Sequence, residues 1–242
     1  MHDLEDHYWW FVGRRWLAIS LLRENIHKEG PFSLLDLGCG TGVVSQDLQQ
    51  FAKTWGLDFN LKALEFCQER GLKNLSQGDA EKLPFQSNSF EAITSLDVFE
   101  HLRDDEAAFR EACRVLKPGG MLVLSVPAFK SLWGPHDIAL HHFRRYRRSE
   151  VRRKLEAAGF EVVKNSYSVF VLFPLVVLSR LVEKFKRGPA RASLPRVPGW
   201  LSKFLIWIQR LETSLILSVG SLPWGSSVVT VARKPIDAPR TH

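Results

Sequence analysis

Three glycines and two acids stand at the spacing that most directly implies chemistry. Gly38, Gly40 and Gly42 break the run Leu34-Leu35-Asp36-Leu37-Gly38-Cys39-Gly40-Thr41-Gly42-Val43, between a strand-like apolar stretch and the helical pattern Val43, Val44, Leu48, Phe51. Such a loop turns sharply and lays bare backbone against a flat ligand. Asp36 sets a carboxylate beside it, which suits a ligand with positive charge better than a pyrophosphate. A dinucleotide would need a third glycine where Val43 stands. Asp58 closes the next strand-like run, Thr54-Trp55-Gly56-Leu57-Asp58, about 20 residues past the first glycine, where a βαβ unit sets a ribose-binding acid.

A second group of reactive side chains follows the fifth predicted strand, from Pro127 to Asp137 and from His141 to Ser149. Loops at the carboxyl ends of strands line the ligand crevice of a doubly wound sheet, so this segment is expected to form an acceptor site. His136 and His142 are candidate general bases for a hydroxyl or amine, while Trp133, Asp137, Arg145 and Tyr146 are candidate acceptor-binding residues. The spacing matches no zinc pattern, and no metal is expected. Cys39, Cys67 and Cys113 show neither metal nor disulfide spacing, consistent with a reducing, cytoplasmic setting. Met1 to Asp6 lacks the basic start and apolar run of a secretion signal.

The elements that must position these residues alternate. Helices are predicted in the stretch that opens with the aromatic cluster His7–Trp16 and carries Leu17, Leu21 and Leu22 on one side, after Gly42, over Lys62–Arg70 and over Asp105–Leu116, with strands ending at Leu37, Asp58, Gln77, Leu96 and Val126. That order calls for an α/β fold with a doubly wound, Rossmann-like seven-stranded sheet, parallel where strand and helix alternate and with helices on both faces; in the plain fold a hairpin joins strands six and seven. Strand six begins at Phe160, and strand seven is Ser227–Arg233. Between them lies a helical insertion, residues 168–225. The reading therefore has a cofactor-binding domain of residues 1–167 and 226–234, the insertion, and a flexible tail of residues 235–242.

The ordered set Leu35 to Gly42, Asp58, Gly78-Asp79-Ala80-Glu81-Lys82-Leu83-Pro84-Phe85 and Ser95-Leu96-Asp97-Val98-Phe99-Glu100-His101-Leu102 resembles the successive motifs of class I S-adenosylmethionine-dependent methyltransferases of the small-molecule type. The resemblance spans residues 34–126. It implies S-adenosyl-L-methionine as cofactor, with Asp58 and Phe59 at the ribose, Asp79 and Ala80 at the adenine edge, and Asp36, Gly38, Gly40, Gly42 and Leu96 around the methionine part. The Asp/Asn-Pro-Pro-aromatic run expected of amine methylation on bases is missing after strand four.

Charge divides unevenly along the chain. Of the net +7, residues 1–138 hold 14 Lys+Arg against 20 Asp+Glu, and residues 139–242 hold 19 against 6. A basic second part favours an anionic partner: a phosphorylated substrate, a membrane surface or nucleic acid. In the insertion, Val169–Val182 is almost wholly apolar, and a helix from Trp200 to Leu217 carries the stripe Leu201, Phe204, Leu205, Ile208, Leu211, Leu215. Neither reaches the ~20 apolar residues of a bilayer span. With Lys184, Lys186, Arg187 and Arg191 alongside, they read as a cap over a greasy substrate or as a peripheral contact on the inner face of a membrane. The expected activity is methyl transfer to an amphipathic or lipid-linked, anionic small molecule. The alternatives are RNA methylation and a noncatalytic, membrane-associated binding module. Oligomeric state is left open.

Overall fold

The computed structural model describes residues 2–26, 30–185 and 197–236. A short helix α1 (His2–Glu5) and the longer α2 (Trp9–Asn25) lead into β1 (Phe32–Leu37), α3 (Val43–Leu48), β2 (Ala52–Asp58), α4 (Leu61–Glu69) and β3 (Leu75–Gln77). Then come β4 (Phe90–Leu96), a single 3-10 turn at Phe99–His101, α5 (Asp105–Val115) and β5 (Leu116–Pro127). The strands form one seven-stranded sheet in the order β3-β2-β1-β4-β5-β7-β6. β1 and β4 run parallel, and the strand order switches between them, which opens the ligand crevice of a doubly wound sheet at their carboxyl ends.

Strands β1 to β5 are parallel, as the alternation requires, and the sheet is completed by an antiparallel strand. β7 (Ser227–Arg233) runs antiparallel between β5 and β6 (Glu161–Ser168). It can do so because a long insertion, not a crossover helix, joins it to β6. β5 also starts earlier than expected, at Leu116, which pairs with Phe90 while Gly119 N–H donates to the Lys234 carbonyl at 2.8 Å.

Both sheet faces are covered, and alternate residues of each strand divide between them. Leu35, Leu37, Ile93, Leu122 and Leu124 pack under Phe109 of α5 and Val151 and Leu155 of α7 (Arg148–Ala157). Leu34, Ala92, Met121 and Val123 pack under Leu17, Ala18, Leu21 and Leu22 of α2 and Ile216 of α9 (Gly199–Val219).

The insertion contains α8 (Phe173–Phe185) and α9, and several residues of the α9 apolar stripe face outward and not toward the sheet. Its polar side chains face the protein: Ser202 donates to the His7 carbonyl, and Glu212 accepts the Val169 and Val171 amides. Gln209 occupies the space a Cβ on Gly13 would need, so that glycine is what lets α2 and α9 approach. The apolar residues Trp200, Phe204, Trp207, Leu211, Leu215 and Val219 are left exposed. No helix among the described residues is long and apolar enough to cross a membrane. Lys186, Arg187 and Arg191, most of the Pro-rich linker, the side chain of Lys184 and tail residues 237–242 lie outside the described residues.

The face holding α5 and α7 depends on one buried acid. Asp105 accepts from the Tyr146 hydroxyl at 2.8 Å, Lys154 at 3.0 Å and Arg144 at 2.6 Å. Asp105→Ala strands those groups, and a loss of about 3 kcal/mol in urea unfolding is expected. A loss below about 1 kcal/mol would show that these charges are solvated instead.

Candidate functional site

The glycine loop sits at the crevice where β1 ends, and its three glycines serve different needs. Gly38, Gly40 and Gly42 all have positive φ, +74°, +54° and +85°. A Cβ on Gly38 would lie 2.2 Å from Val98 Cγ2, and one on Gly42 would lie 2.5 Å from Leu72 Cδ1 and 2.9 Å from Cys67 Sγ. Those two positions are closed by the protein's own packing. A Cβ on Gly40 meets nothing within 4 Å, so only there does the missing side chain leave open space for a ligand.

Asp36 is not the open, ligand-facing carboxylate that the sequence led us to expect. It is 2% exposed, and its oxygens accept from the Ser45 hydroxyl at 2.6 Å and the Thr94 hydroxyl at 3.0 Å. Burial pushes its pKa up to about 6 against the pull of those two hydrogen bonds. The carboxylate at the surface of the loop is Asp58, half-buried at the tip of β2. Its Oδ2 accepts the Gly40 amide and its Oδ1 the Asn60 amide, both at 2.8 Å.

Around this centre, Phe59 is 77% exposed beside Asp58. Asp79 is exposed after β3 and accepts the Glu81 amide at 2.9 Å, a turn that presents its second oxygen outward. Ala80 and Leu96 are buried in the core, so they can offer a ligand little beyond backbone. Asp97 follows Leu96 with φ +57° and pairs with Arg14 of α2. The N-terminal segment also reaches the loop through Glu5, which accepts from Thr41, and through Arg15, 2.7 Å from Asp47. Asp97 had no role assigned from sequence. Its signal was an acid directly after a buried strand end.

The expected acceptor loop folds around itself. Asp137, on the short helix α6 (Pro135–Ala139), is fully buried and accepts from Arg145 at 2.7 and 3.1 Å, from His142 Nδ1 at 2.9 Å and from the Gly134 amide at 2.9 Å. Burial alone would raise its pKa, but the bonds from His142 and Arg145 outweigh it and hold the carboxyl well below the usual range. Arg145 is therefore spent on Asp137, and Tyr146 is a wholly buried core residue bonded to Asp105. The expectation that Asp137, Arg145 and Tyr146 bind the acceptor is corrected on this ground: a salt bridge and a core phenol hold the loop's shape. Trp133 is half-buried, and His136 on α6 is half-buried, its pKa lowered by burial and by Arg180. His142 is brought against His101 and Glu100, a grouping that sequence spacing did not reveal.

Residues 35–124 match the family model described as methyltransferase domain. A probable S-adenosylmethionine-dependent methyltransferase of Mycolicibacterium smegmatis is 28% identical over 170 residues, 69% of this chain and 64% of its own. A ubiquinone/menaquinone biosynthesis C-methyltransferase of Chromobacterium violaceum is 37% identical over 111 residues, 42% of this chain and 45% of its own. The chain thus spans less than two thirds of the length of either relative. A solved S-adenosylmethionine-dependent methyltransferase of Thermotoga maritima superposes with a TM-score of 0.60 at 21% identity, covering 93% of each chain.

Two outcomes follow for calorimetry and melting. Asp58→Ala removes a charged acceptor from the cleft and should weaken S-adenosylmethionine binding by about 30-fold, or about 2 kcal/mol. Gly40→Ala should abolish binding for about 1 kcal/mol of stability, whereas Gly42→Ala should melt the loop itself. Asp36 adds a pH dependence of definite sign. Its folded carboxyl keeps a proton that the unfolded one, near 3.8, has lost, so stability falls as pH rises from about 4 to about 6. Asp36→Asn should flatten that slope and raise the melting temperature at pH 7.5.

Proposed function

We propose, on the premise that residues 35–124 are a class I S-adenosylmethionine-dependent methyltransferase domain, that this chain methylates an amphipathic small molecule. The observation that carries the reading is the open space over Gly40 beside a carboxylate that two backbone amides hold in place. Such a cradle suits the cofactor's ribose diol, which an acid at the end of the second strand can accept hydrogen bonds from. When bound, S-adenosylmethionine supplies an electrophilic methyl group on a sulfonium. What this chain must do is align the acceptor and exclude water. The N-terminal segment is suited to the second task, because Glu5, Arg14 and Arg15 strap it across the loop. For a hydroxyl acceptor, His136 is the candidate base, since its lowered pKa keeps a lone pair free at neutral pH.

The acceptor's character is supported by a cleft of about 730 Å³ between the N-terminal segment and α9. Leu4, Tyr8, Val12 and Ile206 line it with the cations Lys203 and Arg210 and one acid, Asp6, a largely apolar cleft with a net positive lining. This pairing of grease and positive charge suits a lipid-like molecule with an anionic group. The Chromobacterium relative is named for ubiquinone/menaquinone biosynthesis. The outward stripe of α9, Trp200 72% and Val219 66% exposed among its members, further supports collecting such a molecule at a membrane surface.

The test is to incubate the protein with methyl-labelled cofactor, a lipid extract and a water-soluble extract. Label should enter the lipid fraction, and the double change Trp200→Glu with Phe204→Glu should cut that labelling at least about 10-fold with cofactor affinity intact. Label found only in RNA or only in water-soluble products would overturn the amphipathic acceptor.

A further inference from the structure

We propose that Glu100, His101 and His142 bind a divalent first-row transition metal ion at the mouth of the crevice. One ligand atom of each lies within 4.8 Å of the others, and the two imidazole rings meet edge to face with centroids 4.6 Å apart. Glu100 and His101 come from the 3-10 turn after β4, and His142 from the loop after α6.

Glu100 points most directly to a cation. It is wholly buried, and neither carboxylate oxygen has a hydrogen-bond partner on another residue. Asp97 beside it adds a like charge, and its own Oδ1 is also buried without a partner. A buried carboxylate left this way is costly unless something positive meets it. Arg14 and Arg145 are near enough to act on it electrostatically, but Arg14 pairs with Asp97 and Arg145 with Asp137.

The histidines are prepared in the way metal-binding imidazoles are. His142 gives Nδ1 to the buried Asp137 at 2.9 Å, which leaves Nε2 as the ligand atom. His101 donates a ring N–H to the Leu140 carbonyl, which fixes its other nitrogen in the same sense. Two imidazoles and one carboxylate are a borderline donor set, suited to Zn²⁺, Co²⁺ or Mn²⁺ more than to Ca²⁺. Bonds of about 2.1 Å would bring the ligand atoms from within 4.8 Å to about 3.4 Å of one another, a closure that takes small movements of all three side chains. Three protein ligands leave positions open for an exchangeable oxygen.

The experiment is a Co²⁺ titration of the chelator-treated, full-length protein, read by visible absorption and checked by Zn²⁺ displacement. One equivalent is expected to bind. His101→Ala and Glu100→Gln should each weaken it at least about 10-fold, while His141→Ala, an exposed neighbour, should leave it unchanged. Co²⁺ should raise the melting temperature of the wild type but not of His101→Ala, a position whose exposure keeps the fold intact. Binding that is not saturable, or that survives His101→Ala and Glu100→Gln at full strength, would overturn the site. Calorimetry with S-adenosylmethionine on the same chelated sample tells this failure apart from failure of the methyl-transfer reading.

Discussion

A carboxylate without access to water holds the centre of this molecule. Asp36 belongs to β1, Ser45 to α3 and Thr94 to β4, and the two hydroxyls converge on the one acid. Those three elements meet where the strand order switches, so the acid sets the angle at which the glycine loop leaves β1. Displacing Asp36 would shift Gly38 against Val98 and Gly42 against Leu72 and Cys67, because neither glycine has room to spare. With the loop fixed, the Gly40 amide stands where it can hold Asp58. The ligand cleft is thus an outcome of a buried polar network that itself touches no ligand.

The same economy governs the second half of the chain. Its excess of basic residues reads as an invitation to an anionic partner, yet several of them are consumed internally. Asp105 takes Arg144 and Lys154, and Asp137 takes Arg145. The pairs made by Lys154 and Arg145 are close to fully desolvated, which makes them poor sources of net stability but firm fasteners of shape, while Arg144 stays 27% exposed. The loop they shape brings His142 to Glu100 and His101.

The strands and the glycine loop were legible in the sequence because their periodicity and spacing are local. β7 at Ser227–Arg233 and the acids Asp36 and Asp58 could be located without coordinates. What each acid does could not, since it depends on which hydroxyl or amide arrives from another element: Ser45 and Thr94 for Asp36, Gly40 and Asn60 for Asp58. The roles of Asp137, Arg145 and Tyr146 were misread for a related reason. Chemically capable side chains in a loop look alike whether they face solvent or one another. The apolar stripe of α9 was visible, but periodicity gives a face and not the direction in which it points.

That outward stripe changes how the molecule could come apart. The seam between α2 and α9 sets Gln209 in the space above Gly13 and packs Ile216 with Leu17 and Leu21, so parting the two helices exposes both a hydrogen-bonding group and oil. An ordinary amphipathic helix is held down by its whole apolar stripe. Here Trp200, Phe204, Trp207 and Leu211 are already outside, so that part of the stripe adds nothing to the grip.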